Sequence, residues 1–467
     1  MSVKCKIVVS DLHLGAGPPG GTNPLEDFVA DAEFSLLVDK LIVESDRNGT
    51  EVELILNGDI FEMLQVPHVE VFEPDQVYAS EFYHSSAEAD SARKMGHIVA
   101  GHPIFFAALR RFLSVGPPRR YATFVKGNHD LDLFWPAVQD QIRTTLDASG
   151  ERVTLLTFEA WHILREGIYV EHGNQYAEWI DQVEDMADPR DPDRPEQLAL
   201  PPGSRLAIEL FNPVERERYW IDGVKPITAL VWYALKYDFP FAARALSMVL
   251  RALPGALGHA FLALEGAQPE TLAGQLQDPA QVEALAARYE EDPAFRAQFN
   301  AEVANLLSPV PAAEGAGALE VVPRPDAENM GETIQRRMVS SLHEAARRLA
   351  QEHGVQLVTM GHTHEPVEDV LPGGARYVNS GTWTWRMDLS EAGADVWREL
   401  FAHPERFTAE QRLTYVRVDY DREGQPTGRL VDHRPHFPTG GAGEQGSFWS
   451  RLLDRLRALW RRLWPGG

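Results

Sequence analysis

Nine polar side chains in this 467-residue chain have the types and spacing to do metal chemistry: Asp11, His13, Asp59, Asn128, His129, Asp130, His172, His362 and His364. They fall in five short clusters, SDLHLG, NGDIFE, GNHD, HG and GHTH. Carboxylate, amide oxygen and imidazole without sulfur suit a borderline divalent ion such as manganese, iron or zinc better than calcium. The set is too large for one ion. Two ions about 3.5–4 Å apart, bridged by one carboxylate, would use it, and such pairs promote in-line displacement at phosphorus.

The closing cluster shows what must position these groups. VQLVTMGHTHEP, Val355 to Pro366, is an apolar, β-branched run that stops at Gly361 and then presents His362 and His364. In extended backbone, residues two apart share a face, so both imidazoles can address one target. Asp11 and His13 repeat that spacing. Taken alone, the pair reads as ordinary loop histidines.

Four further runs end in the same way: Lys6 to Gly15, Val52 to Glu62, Tyr121 to Asp130 and Ile168 to Tyr176. Helical patterns lie between some of them, from Asp31 to Gly49 and from Gly101 to Ser114. Alternating strands and helices predict an α/β fold. In such sheets, ligands gather beyond the carboxyl ends of the strands, where every cluster lies.

The length exceeds what one hydrophobic core usually supports. The strand pattern is expected to form one domain in two parts, residues 1–180 and 338–433, around a helical insertion at 181–337 that lacks strand signals of comparable strength. A flexible linker, 434–447, then leads to a C-terminal helix at 448–464. Hydrophobic residues make up 44% of the chain, which places it among globular proteins. The net charge of −25 argues against extended nucleic acid as a partner. The single cysteine, Cys5, excludes a disulfide framework and a thiolate metal site. With no signal-peptide pattern and no run of about 20 apolar residues, a cytoplasmic location is expected.

Taken in order, the five clusters resemble the signature of the calcineurin-like metallophosphoesterases, over roughly Val3 to Tyr176 and Val355 to Trp383. The resemblance implies that family's layered sheet sandwich flanked by helices, two divalent ions with manganese foremost, and hydrolysis of a phosphoester or pyrophosphate. Carried over by position, Asp11, His13 and His364 hold one metal, and Asn128, His172 and His362 the other. Asp59 bridges them. A water shared by the two ions attacks phosphorus, and His129 faces the substrate, stabilising the transition state or protonating the leaving oxygen. Asp130 is expected to orient His129, with a turn or helix cap as its structural alternative.

The first cluster and the closing pair also resemble the bacterial UDP-2,3-diacylglucosamine pyrophosphatases, membrane-peripheral members of the family that act on a lipid A precursor. Those enzymes carry arginine where this chain has His129, and they are shorter. The C-terminal FWSRLLDRLRALWRRLW sets a Trp/Leu face against an arginine face, which suits an anionic membrane interface at the inner side of the membrane. Docking on the protein's own acidic surface and an oligomer contact are the alternatives. A lipid-linked substrate at that surface is therefore one reading; a soluble phosphatase or phosphodiesterase acting on nucleotides, phosphoproteins or nucleic acid ends is another. A non-catalytic metal-binding scaffold is the third.

Other residues carry weaker signals. Ile227 to Leu264 is apolar but broken by charges, and is expected either to pack as a helical core or to line an acyl groove. Gly15 to Gly21 lacks the lysine of a P-loop and reads as a flexible connection. Asn379 and Ser380 could approach the metals or form a turn, and Asn174 could touch substrate. His97 and His102 are expected at a helix start, as surface or capping residues.

Overall fold

Successive side chains leave a strand on opposite faces, and here that alternation builds the layers. The computed structural model describes residues 4–17, 23–177, 181–218, 220–221, 223–225, 233–234, 237–243, 245, 279–295, 327–389, 392–407 and 411–433. Strands β1 (Lys4–Val9), β2 (Glu51–Asn57), β3 (Arg120–Val125) and β4 (Leu156–Phe158) are parallel neighbours. A second sheet contains β5 (His162–Arg165), β6 (Ile168–Glu171), β8 (Leu357–Met360), β9 (Pro366–Val370) and β10 (Arg376–Ser380), in the order β5-β6-β8-β10-β9. Strands β12 (Thr414–Tyr420) and β13 (Pro426–Asp432) add antiparallel to the β1 edge of the first.

The protein is thus α/β with two mixed sheets in a layered arrangement. Val8, Ile55 and Val125 of the first sheet share a core with Ile168, Val170, Leu357 and Val378 of the second. The alternate residues Ile7, Val9, Leu54, Leu56 and Phe124 face the other way. They pack under helices α1 (Asp31–Asn48), α2 (Glu88–Gly101), α3 (Pro103–Phe112) and α4 (Pro136–Thr145). The far side of the second sheet is covered by the end of α5 (Ala327–His353), through Leu342, Ala345, Ala346 and Leu349. Because β1, β2 and β3 are parallel, as are β6, β8 and β10, their carboxyl ends bring the polar clusters towards one rim.

The insertion departs from its expected outline. Helix α5 runs through the 337/338 boundary without a break. A second core joins Leu206, Trp220, Phe239 and Phe241 to Trp397 and Leu400, so residues counted with the α/β domain complete the insertion's interior. A short strand also occurs here, β7 (Val224–Lys225), paired in parallel with β11 (Met387–Asp388). Two residues are too few to leave a periodic signal. Within Ile227 to Leu264, the described Tyr233, Ala234, Phe239, Phe241, Ala242 and Ala243 pack as core. The rest of that stretch from 246 onward, the linker and the C-terminal helix lie outside the described residues. Among the described residues no helix is long and apolar enough to cross a membrane.

His102 stands at the N-cap position of α3, though its side chain makes no cap hydrogen bond and neither it nor His97 is a surface residue. His97 lies inside α2 and its Nε2 is 2.8 Å from the Val69 carbonyl. His102 is fully buried between α2 and α3, with Nδ1 3.0 Å from Asp31 and Nε2 3.3 Å from Glu26. Burial works to lower its pKa, but hydrogen bonds with Asp31 and Glu26 prevail and raise it to about 9. A folded value above the ordinary 6.5 gives stability that is complete below about pH 6.5 and is lost as pH rises through about 9. The linkage is on the order of 3 kcal/mol. Wild-type protein is expected to lose thermal stability over that window, and His102→Gln to lose much less. Equal slopes of Tm against pH would remove the charged triad from the account.

Candidate metal centre

The loops leaving β1 and β2 stay zipped beyond the strands. Asp11 N–H donates to Gly58 O at 3.1 Å, His13 N–H to Asp59 O at 2.9 Å, and Glu62 N–H to Leu14 O at 2.8 Å. The loops leaving β6 and β8 are tied likewise, by Gly361 N–H to His172 O at 2.7 Å. Asp11 joins the two sheets: its carboxylate oxygens each lie 3.0 Å from the His362 N–H, and its carbonyl accepts from Thr382 Oγ1 and Trp383 N.

Asp11, His13, Asp59, His362 and His364 all have positive φ, from 50° to 69°. For residues other than glycine this left-handed backbone costs about 1–2 kcal/mol each, and such strain gathers at functional sites. It also corrects the reason for the i, i+2 convergence. The two pairs reach the pockets through left-handed turns, not through extended strand. Glycines let the loops close: a Cβ on Gly127 would lie 2.1 Å from Asp59 Oδ1, and one on Gly361 would lie 2.4 Å from Asp11 Oδ2.

Two adjacent pockets result. Ligand atoms of Asp11, His13 and His364 lie within 4.8 Å of one another, as do those of Asp59, His172 and His362. In the first, His13 Nε2 and His364 Nε2 are 3.2 Å apart and His364 Nε2 is 3.4 Å from Asp11 Oδ1. In the second, His172 Nε2 stands 3.0 Å from Asp59 Oδ2. That same oxygen is 4.0 Å from His13 Nε2, so Asp59 lies between the pockets. His13, Asp59 and His129 form a third such group.

The donor chemistry fits divalent ions. Asn128 Oδ1, His172 Nε2 and His362 Nε2 are buried without a hydrogen-bond partner. A buried orphan of this kind is costly unless something fills the gap. His172 Nδ1 faces the Asn57 carbonyl at 3.2 Å and must donate to it, so the neutral ring aims its Nε2 lone pair at the Asp59 carboxylate. Only a proton or a cation relieves that. Without a cation, burial favours the neutral ring but Asp59 and Asp11 raise the His172 pKa to about 9. His362 goes the other way: burial and the nearby His172 lower it to about 3, which keeps the ring neutral and able to ligate. Burial works against ionisation of Asp59, yet His172 and His129 hold it well below the usual carboxylate range.

One assignment gives way to its structural alternative, and one residue is added. Asp130 does not orient His129. Its carboxylate accepts from Gly127 N at 2.6 Å, Ile60 N at 2.9 Å and Phe61 N at 3.4 Å, clamping the β2 and β3 exit loops together. Burial and the charge of Asp59 raise its pKa to about 6. The orienting carboxylate is Glu62, which is not among the nine candidate residues. A single oxygen, Glu62 Oε2, lies 2.6 Å from His13 Nδ1 and 2.7 Å from His129 Nδ1. It engages His13 Nδ1, leaving Nε2 to the first pocket, and it links His13 to His129. Burial opposes its charge, but the two histidines bring its pKa down to about 2. Its only sequence signal was a carboxylate three residues after Asp59.

Asn379 and Ser380 brace the loops. Asn379 Nδ2 donates to Gly361 O at 2.8 Å, and Ser380 Oγ meets Ser10 Oγ at 2.6 Å. Asn174 Nδ2 is taken up by the Asp181 carbonyl at 2.9 Å. Compared with known proteins, the chain matches no protein-family model and no curated protein.

Proposed function

We propose that the protein is a dinuclear metal-dependent phosphoester hydrolase of the calcineurin-like type, with Asp11, His13 and His364 around one ion, Asn128, His172 and His362 around the other, and Asp59 shared. One observation carries the reading. Six competent donors, supplied by four strand exits, converge on two adjoining pockets, and two of their atoms, like Asn128 Oδ1 at the β3 exit, are buried orphans. Two divalent ions, manganese foremost and iron or zinc as alternatives, would lower the pKa of a shared water and neutralise phosphate oxygens when bound.

The chain's own groups do the rest. Glu62 presents His129 with its Nδ1 engaged, leaving Nε2 to face a substrate. Burial disfavours the charged ring, but Glu62 and Asp59 hold the His129 pKa well above the ordinary value, so it can stabilise negative charge or deliver a proton to the leaving oxygen. Hydrolysis of a chromogenic phosphodiester by manganese-loaded protein, measured beside metal content, tests the proposal. Full metal loading with no turnover on mono-, di- and pyrophosphate esters would favour a binding scaffold instead.

For the substrate, we favour a lipid-linked phosphoester or pyrophosphate at a membrane surface over a soluble nucleotide, phosphoprotein or nucleic acid end. The support is the Trp/Leu and arginine faces of residues 448–464 on a chain of net charge −25. Full-length protein is expected to sediment with vesicles containing anionic lipid, and protein lacking Ser447 to Gly467 to stay in the supernatant at unchanged turnover of a soluble ester. Equal partition of the two would leave the soluble reading in place.

A further inference from the structure

The two pockets differ in charge. The first owns a carboxylate, Asp11, besides its share of Asp59, whereas the second has only the neutral donors His172 and His362 beside its share of Asp59. A divalent ion there would be poorly compensated. The opening residue of the insertion lies beside it: Asp181 Oδ2 is 3.6 Å from His362 Nε2, a nitrogen whose side chain is 7% exposed and which has no hydrogen-bond partner.

Asp181 is held in that place. Asn174 Nδ2 donates to the Asp181 carbonyl at 2.9 Å. Gln175 grips Val183 on both sides, Oε1 accepting from its N–H and Nε2 donating to its carbonyl, each at 2.8 Å. Val183 and Met186 then anchor the strand of chain in the main core. Two side chains directly after His172 thus fix where the insertion begins, and with it a carboxylate at the mouth of the second pocket.

We propose that Asp181 is an additional carboxylate of the second metal pocket, lying just outside the close group of Asp59, His172 and His362 and supplying the charge those donors lack. This rests on the dinuclear reading above. It makes the insertion part of the metal centre, since occupancy of the second pocket then depends on how the chain enters residues 181–183. Outer carboxylates of this kind are worth about 10–100-fold in metal affinity.

Manganese titration of the full-length protein, followed by calorimetry and by electron paramagnetic resonance, tests this independently of turnover. Wild type is expected to bind two ions. Asp181→Ala and the isosteric Asp181→Asn keep one ion at wild-type affinity and bind the other about 10–100-fold more weakly. Asp181→Glu recovers part of the loss, and His362→Ala weakens the same ion. If both Asp181 variants, folded by circular dichroism, bind two ions as tightly as wild type while His362→Ala loses one, the role of Asp181 is overturned and the dinuclear centre stands. If wild type binds no second ion, the dinuclear reading itself falls.

Discussion

Asp59→Ala is expected to abolish measurable phosphoesterase activity and to strip the protein of both ions at micromolar free manganese. The residue is 2% exposed and its Oδ2 stands between His172 Nε2 and His13 Nε2, at 3.0 and 4.0 Å. Its removal takes the shared anion from both pockets and leaves His172 facing empty space. Metal ions supply several kcal/mol of transition-state stabilisation, so the loss in kcat is about 10³-fold or more. Metal content and kcat on a chromogenic ester check this together. A variant that keeps two ions would show that Asp59 is not the bridge.

His129→Ala gives the second large effect, of a different kind. Turnover falls about 10²–10⁴-fold, the usual range for a lost proton donor or charge stabiliser, while metal content stays near two ions. The split follows from the proposed roles: His129 is tied through Nδ1 to Glu62, and the proposal gives its Nε2 to the substrate and to neither ion. Glu62→Gln should fall between. It keeps the shape but loses the charge that one oxygen shares between His13 and His129, so kcat drops and metal affinity weakens about 10-fold. A smaller kcat loss for His129→Ala when the ester has an activated leaving group would identify proton delivery; equal losses would identify charge stabilisation. Loss of both metals in His129→Ala would contradict its assignment.

The insertion shares its core with a late segment of the chain. Trp397 and Leu400 complete a core begun by Leu206 and Trp220, although roughly 180 residues separate them in the chain. Gln65 and Asn212 reinforce the contact on the other side: Gln65 Nε2 donates to Glu215 at 2.7 Å, and Asn212 Nδ2 donates to the Leu64 carbonyl at 2.9 Å. The loop that follows Asp59 is therefore packed directly against the insertion.

What the sequence determined by itself was the inventory. Apolar, β-branched runs ending in Asp, Asn, His and Gly are a local signal, because strand propensity and chain-breaking glycine act within a few residues. They mark β1, β2, β3, β6 and β8 and the polar clusters beyond them. The tertiary structure decided direction and partnership. His13 and His364 meet at 3.2 Å across 351 residues, and no local pattern encodes such a contact. Left-handed backbone at Asp11, His13, Asp59, His362 and His364 is imposed by loops zipped to one another, so these side chains approach through turns where the spacing alone suggests extended strand. Glu62 takes the role expected of Asp130, and Asp130 takes its structural alternative, for the same cause. Both are carboxylates near a strand exit, and only the packing of one loop against the next selects which of them reaches an imidazole and which is spent on backbone N–H groups.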